Sequence, residues 1–128
     1  MAPAPFSLLG SLSAFDARDE TPAIGTLFPS PNVQLADILA APDSDTFIRD
    51  LATLTSHRGV VFFKSQHLSA EQLKELGARL GELSGKPLSS TLHKHPISEE
   101  TPELGADVSV ISSEGCVSLY SCASAGCF

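Results

Sequence analysis

His57-Arg58-Gly59-Val60-Val61-Phe62-Phe63 is the stretch whose reading decides the fold. A helix ends at its left edge, because Gly59 can take the left-handed conformation that stops one. An unbroken apolar run of β-formers follows. A strand buried on one face alternates between apolar and polar residues, and this run does not. It therefore reads as a strand buried on both faces, near the centre of its domain. Burying each Val or Phe side chain contributes roughly 1.5–3 kcal/mol before entropy is counted.

On the N-terminal side, the spacing predicts a helix over about Asp45 to His57. Phe47, Leu51 and Leu54 fall on one helical stripe and Ile48 widens it. Ser44 or Asp45 is the expected cap of its first turn. His57 near the C-terminus is a favourable partner for the helix dipole and needs no further role. Before that helix, Val33, Leu35, Ile38 and Leu39 predict a short helical turn, stopped by Pro42. Residues 1–31 carry five of the nine prolines, with Ser, Ala and Gly between them. They read as a mostly disordered leader with an extended stretch near Ala23 to Phe28.

On the C-terminal side, Ser69-Ala70-Glu71-Gln72 fits a capping box, in which Ser69 and Gln72 each satisfy a free N–H of the helix start. Leu73, Leu76, Leu80 and Leu83 then recur at helical spacing, and the stripe is read as core packing. Glu75 and Arg79 are placed to pair one turn apart. Gly85 and Pro87 end the helix. Residues 86–102 read as a polar loop. Asp107-Val108-Ser109-Val110-Ile111-Ser112 alternates and predicts a second strand. From Gly115 the texture changes to an uncharged run of Cys, Ser, Ala and Gly. The chain is thus divided into a leader (1–31), a domain portion (32–114) and a low-complexity tail (115–128).

Composition narrows the function classes. Of the 128 residues, 42% are apolar, enough for a core, and the formal charge is −7. An acidic balance argues against nucleic acid, which selects clustered Lys and Arg. It also argues against an anionic membrane surface. No segment is long and apolar enough to span a bilayer. Residues 1–15 lack the charged front and continuous apolar run of a secretory signal, so a cytoplasmic address is the default. The three cysteines, Cys116, Cys122 and Cys127, crowd the last 13 residues. Their number and spacing fit neither a disulfide framework nor a zinc knuckle, and free thiols in a reducing compartment are expected ahead of the alternative, one internal disulfide.

Chemistry-bearing candidates are few. His93 and His95 in Leu92-His93-Lys94-His95-Pro96 would point to one side if the segment is extended, as pairs of metal-binding imidazoles do. Two donors do not make a site, and solvent-facing loop histidines are the simpler reading. No nucleophile elbow occurs. Gly77, Gly81 and Gly85 follow no strand, so they do not form a phosphate cradle.

The order of these words resembles the taurine dioxygenase-like family of iron(II)- and 2-oxoglutarate-dependent oxygenases, with the fungal sulfonate-dioxygenase branch most similar. The resemblance is carried by His57 to Phe63, Gln66, Leu68 to Gln72, Gly77, Leu80-Gly81-Glu82-Leu83 and Leu92 to Pro96, and it extends over about Phe28 to Glu114. It implies an α+β chain forming the N-terminal part of a double-stranded β-helix, or jelly roll. It further implies Fe(II) held by two His and one carboxylate, with 2-oxoglutarate as co-substrate. On the family pattern, His95 is the substrate-side residue, where an imidazole faces a small anionic sulfonate. The resemblance assigns no role to His93.

The chain departs from the family where the ligands are due. No His-x-Asp or His-x-Glu occurs anywhere, and no His, Asp or Arg follows Glu114. Catalytic and metal residues are therefore expected to be absent, and no tight binding of Fe(II) or 2-oxoglutarate is expected for this chain by itself. The expectation is a truncated dioxygenase acting on an organosulfonate such as taurine, inactive by itself. A translated intron after Glu114 would account for the break in composition. The alternative is a non-catalytic binding or regulatory module reusing the same αβα piece. A metal or redox role for the Cys-containing tail has least support.

Overall fold

The computed structural model describes residues 7–91. The predicted strand over Asp107 to Ser112, the tail, its three cysteines, His93 and His95 lie outside the described residues.

Thr26-Leu27-Phe28 forms the middle strand of a three-stranded sheet. The strands are β1 (Arg18–Asp19), β2 (Thr26–Phe28) and β3 (Val61–Phe63), in that spatial order. β1 runs antiparallel to β2, pairing Arg18 with Leu27 and Asp19 with Thr26. β3 runs parallel to β2, pairing Thr26 with Val61, Leu27 with Phe62 and Phe28 with Phe63. A parallel pair needs a long crossover. Here α1 (Leu35–Ala40) and α2 (Ser44–Arg58) provide it, and α3 (Ala70–Leu83) follows β3.

The helices cover one face of the sheet. Phe28 and Phe63 project onto that face and stack with ring centroids 4.6 Å apart. Around Phe28, the buried side chains of Leu12, Val33, Leu35, Ile38, Leu39, Ile48, Leu51, Leu54 and Leu76 make one continuous core. Stripe residues Ile48, Leu51 and Leu54 of α2 are all buried, while Phe47 packs at the margin against Phe15.

Four expectations need correction. First, among the described residues β3 lies at the edge of the sheet rather than at its centre. It has one sheet neighbour among the described residues, and its middle residue, Phe62, is 48% exposed. The unbroken apolar run nevertheless alternates in burial: Phe63 faces the helices and Phe62 faces away. Second, Ser7 to Pro31 is not a disordered leader. It contains a 3₁₀ turn (Gly10–Ala14), β1 and the central strand β2, with Leu12 and Phe28 fully buried. The Ser11 amide and hydroxyl both donate to Asp50 of α2, at 2.7 and 2.6 Å. Gly10, at φ +50°, lets the turn approach so closely that any β-carbon would collide with that carboxylate. Third, α2 is not capped by the Ser44 or Asp45 side chain. Asp43 is the cap residue, without a side-chain bond, and Ser44 is buried inside the first turn. Fourth, the leucine stripe of α3 is narrower than its spacing implies. Leu76 is buried and Leu80 and Leu83 touch the core, but Leu73 is 55% exposed.

Local signals elsewhere match. Gly59 ends α2 at φ +73°, with its N–H donating to the Thr55 carbonyl at 2.8 Å. The capping box of α3 is complete: the Gln72 N–H donates to Ser69 Oγ at 3.2 Å and the Ser69 N–H donates to Gln72 Oε1 at 3.0 Å.

Candidate functional site

Three polar assemblies lie around the core. The first is built on Arg58, the last residue of α2, which is only 7% exposed. Its guanidinium donates to the carbonyls of Thr21 (2.6 Å), Gly25 (2.9 Å) and Pro22 (3.1 Å), and to Thr26 Oγ1 at 3.2 Å. It also pairs with the Asp19 carboxylate at 3.2 Å. A buried charge is tolerated when its donors are matched in this way.

The second assembly is a reciprocal clasp between Gln34 and Gln66. Gln34 Nε2 donates to the Pro31 carbonyl at 2.6 Å and to the Ser65 carbonyl at 3.0 Å, and its Oε1 accepts the His67 N–H at 3.0 Å. Gln66 Oε1 accepts the Leu35 N–H at 2.8 Å, capping α1 from 31 residues away. Its Nε2 donates to the Val33 and Lys64 carbonyls at 2.8 and 3.0 Å. Each glutamine therefore satisfies the backbone of the other's loop. The clasp lets Ser65 hold a left-handed conformation, φ +53°.

The third is Arg79 of α3. It pairs with Asp45 at 2.6 Å and with Glu75 at 3.5 Å, and donates to the Leu39 carbonyl at 3.3 Å. The predicted Glu75–Arg79 pair exists, but the shorter contact goes to α2. Arg79 thus joins all three helices.

None of these is a catalytic constellation. No group of three or more His, Cys, Asp or Glu side chains able to hold a metal ion occurs among the described residues. The described residues therefore do not fit an Fe(II) centre. His57 lies exposed in the last turn of α2, and His67 lies exposed in the loop before α3. A shallow open groove between α2 and the end of α3 is lined by Arg49, Ala52, Thr53, Ser56, Leu83 and Ser84. The hydroxyls of Thr53, Ser56 and Ser84 donate to carbonyls of their own helices. The groove consequently presents no converging donors beyond Arg49. No described helix is long and apolar enough to cross a membrane.

Of the residues singled out from sequence, Gln66 and Arg58 have defined contacts, although neither was assigned a role. The substrate-side candidate, His95, lies outside the described residues. Gln34 and Asp50 were not anticipated. Their partners are distant in the chain, and no local pattern marks them.

Residues 16–115 match the family model described as taurine catabolism dioxygenase TauD, TfdA family. The chain is similar to the alpha-ketoglutarate-dependent dioxygenase esdpJ of Penicillium shearii, with 50% identity over 77% of this chain and 26% of the relative. It is similar to alpha-ketoglutarate-dependent dioxygenase oryG of Aspergillus oryzae, with 46% identity over 80% of this chain and 31% of the relative. It is also similar to alpha-ketoglutarate-dependent dioxygenase btcD of Neocamarosporium betae, with 41% identity over 84% of this chain and 30% of the relative. The chain thus spans between 26% and 31% of the length of these relatives. No solved structure matches.

Proposed function

Because the chain belongs to the taurine catabolism dioxygenase TauD, TfdA family, we propose that it is the N-terminal part of a 2-oxoglutarate-dependent dioxygenase acting on a small organosulfonate such as taurine, and that these 128 residues do not turn over by themselves. The observation that carries the reading is the family match over residues 16–115. The names of the relatives support 2-oxoglutarate as the co-substrate. In such an enzyme, bound Fe(II) and 2-oxoglutarate together supply the oxidising power. The inactive part of the proposal rests on donors: the sequence has no His-x-Asp or His-x-Glu, and the described residues contain no metal-capable cluster. An open iron centre needs three protein ligands from such donors.

His95 is the proposed substrate-side residue. A protonated or donating imidazole suits a sulfonate, which accepts charge-assisted hydrogen bonds. In this reading the chain contributes recognition and scaffold, and the iron ligands come from outside it.

The test uses the 128-residue chain with ferrous ion, 2-oxoglutarate and taurine. Oxygen uptake is expected to stay at the rate of buffer with iron. Sustained uptake coupled to loss of 2-oxoglutarate refutes the inactive part. In the same sample, taurine is expected to shift the imidazole resonances of His95 and leave those of His57 and His67 in place. Uniform shifts, or none, remove the assignment of His95.

A further inference from the structure

The loop between β1 and β2 turns its oxygen atoms toward a single point. The Thr21, Pro22 and Gly25 carbonyls, the Thr26 hydroxyl and the Asp19 carboxylate all converge there, and the Arg58 guanidinium sits at the convergence. An oxygen-lined cradle of this kind is a cation site in its chemistry. We propose that residues 19–26 form a preshaped binding site for a guanidinium-class cation, of which Arg58 is the built-in occupant. This does not depend on the dioxygenase reading.

Two observations carry it. The first is that the cradle's shape does not rest on the Arg58 side chain. Thr21 Oγ1 donates to the Ile24 carbonyl at 2.6 Å and accepts the Ile24 N–H at 2.9 Å. The Glu20 N–H closes the loop on the Gly25 carbonyl at 3.0 Å, and Thr26 Oγ1 donates to Asp19 Oδ1 at 3.1 Å. The Gly25 N–H is held by the Arg58 backbone carbonyl at 2.9 Å, a contact that survives loss of the side chain. Gly25 takes φ +88°, which a side chain would oppose. The second observation is directional. The acceptors engage Nε, Nη1 and Nη2 separately, matching a planar fork rather than a sphere. A lysine ammonium has three donors at a single point and cannot span them. Neutral carbonyls supply most of the lining, so binding depends on geometry more than on net charge.

The guanidinium fastens β1 and the loop to the junction of α2 and β3. Without it, the Thr21 and Pro22 carbonyls lose their donor, while the Gly25 carbonyl keeps the Glu20 N–H.

The experiment is chemical rescue in the full 128-residue chain. Arg58→Ala is expected to lower the melting temperature by roughly 10 °C. Guanidinium at low millimolar concentration, far below its denaturing range, is expected to restore several degrees of that loss, and to do nothing for the parent chain. Sodium, potassium and urea at matched concentrations are the controls. Absence of rescue, or equal rescue by sodium or potassium, overturns the proposal. If Arg58→Ala does not fold, the parent chain decides. The Arg58 Nε–H is expected to give a resolved, exchange-protected NMR signal that moves in Asp19→Ala and Thr26→Val. A signal merged with those of the exposed arginines overturns it.

Discussion

Ser44 shows how a buried polar atom can be left without a partner. It occupies the first position of α2, and its Oγ is buried with no hydrogen bond among the described residues. An unmade bond of this kind costs about 1–3 kcal/mol in desolvation. Alanine removes the hydroxyl and is the stronger helix former. Ser44→Ala is therefore expected to leave stability unchanged or raise it by about 0.5–1.5 kcal/mol, read from urea unfolding. A loss greater than about 1 kcal/mol means the hydroxyl has a partner, and the account fails. Arg58 is the opposite case, a buried cation with every nitrogen engaged. Neither was legible from sequence. A serine before a helix looks like a cap, and an arginine at a helix end looks solvated. What distinguishes them is which atoms come near, and for Arg58 those atoms are 32 to 39 positions away.

Among the elements, legibility follows the range of the determining contacts. The start of α3 was readable because Ser69 and Gln72 are three residues apart and bond to each other. The end of α2 was readable because Gly59 alone carries the signal. β2 showed only as an extended stretch, because its place in the middle depends on β3, which arrives through α1 and α2. β3 was overread for the same reason: apolar continuity stood in for a sheet neighbour that the described residues do not provide. The clasp between the loops before α1 and α3 is a long-range polar link between elements made of neutral amides. Gln66→Ala removes the partner of the Leu35 N–H and of the Val33 carbonyl, and Gln34→Ala does the same for the Ser65 carbonyl and the His67 N–H. Each substitution is expected to cost about 1–3 kcal/mol. Once either is made, the two loops separate and the other glutamine has less to lose. The double variant should fall short of the sum by more than about 0.5 kcal/mol in urea melts. Strict additivity rules out a shared clasp.

For the molecule as a whole, residues 7–91 enclose one hydrophobic core made of aliphatic side chains and Phe28. No metal-capable cluster contributes to it among the described residues. Stability that comes from burial alone does not respond to a ligand that binds neither state. The melting temperature of the 128-residue chain is thus expected to be the same with ferrous ion, with a chelator and with neither, followed by far-ultraviolet circular dichroism under anaerobic conditions. A shift of more than about 4 °C with iron reveals a site worth on the order of 1 kcal/mol in the native state. The family was readable at this scale because its words are spread along the chain in order.

The two long-range ties on α3 differ in kind. Arg79 holds the helix by charge at a half-exposed surface, so added electrolyte loosens it. The glutamine pair ahead of the helix is made of amides, which neither titrate nor attract counterions. Brine should therefore weaken the Arg79 tie and leave the amide clasp untouched, while Leu76, Leu80 and Leu83 keep the far half of the helix seated on apolar contacts that electrolyte does not screen.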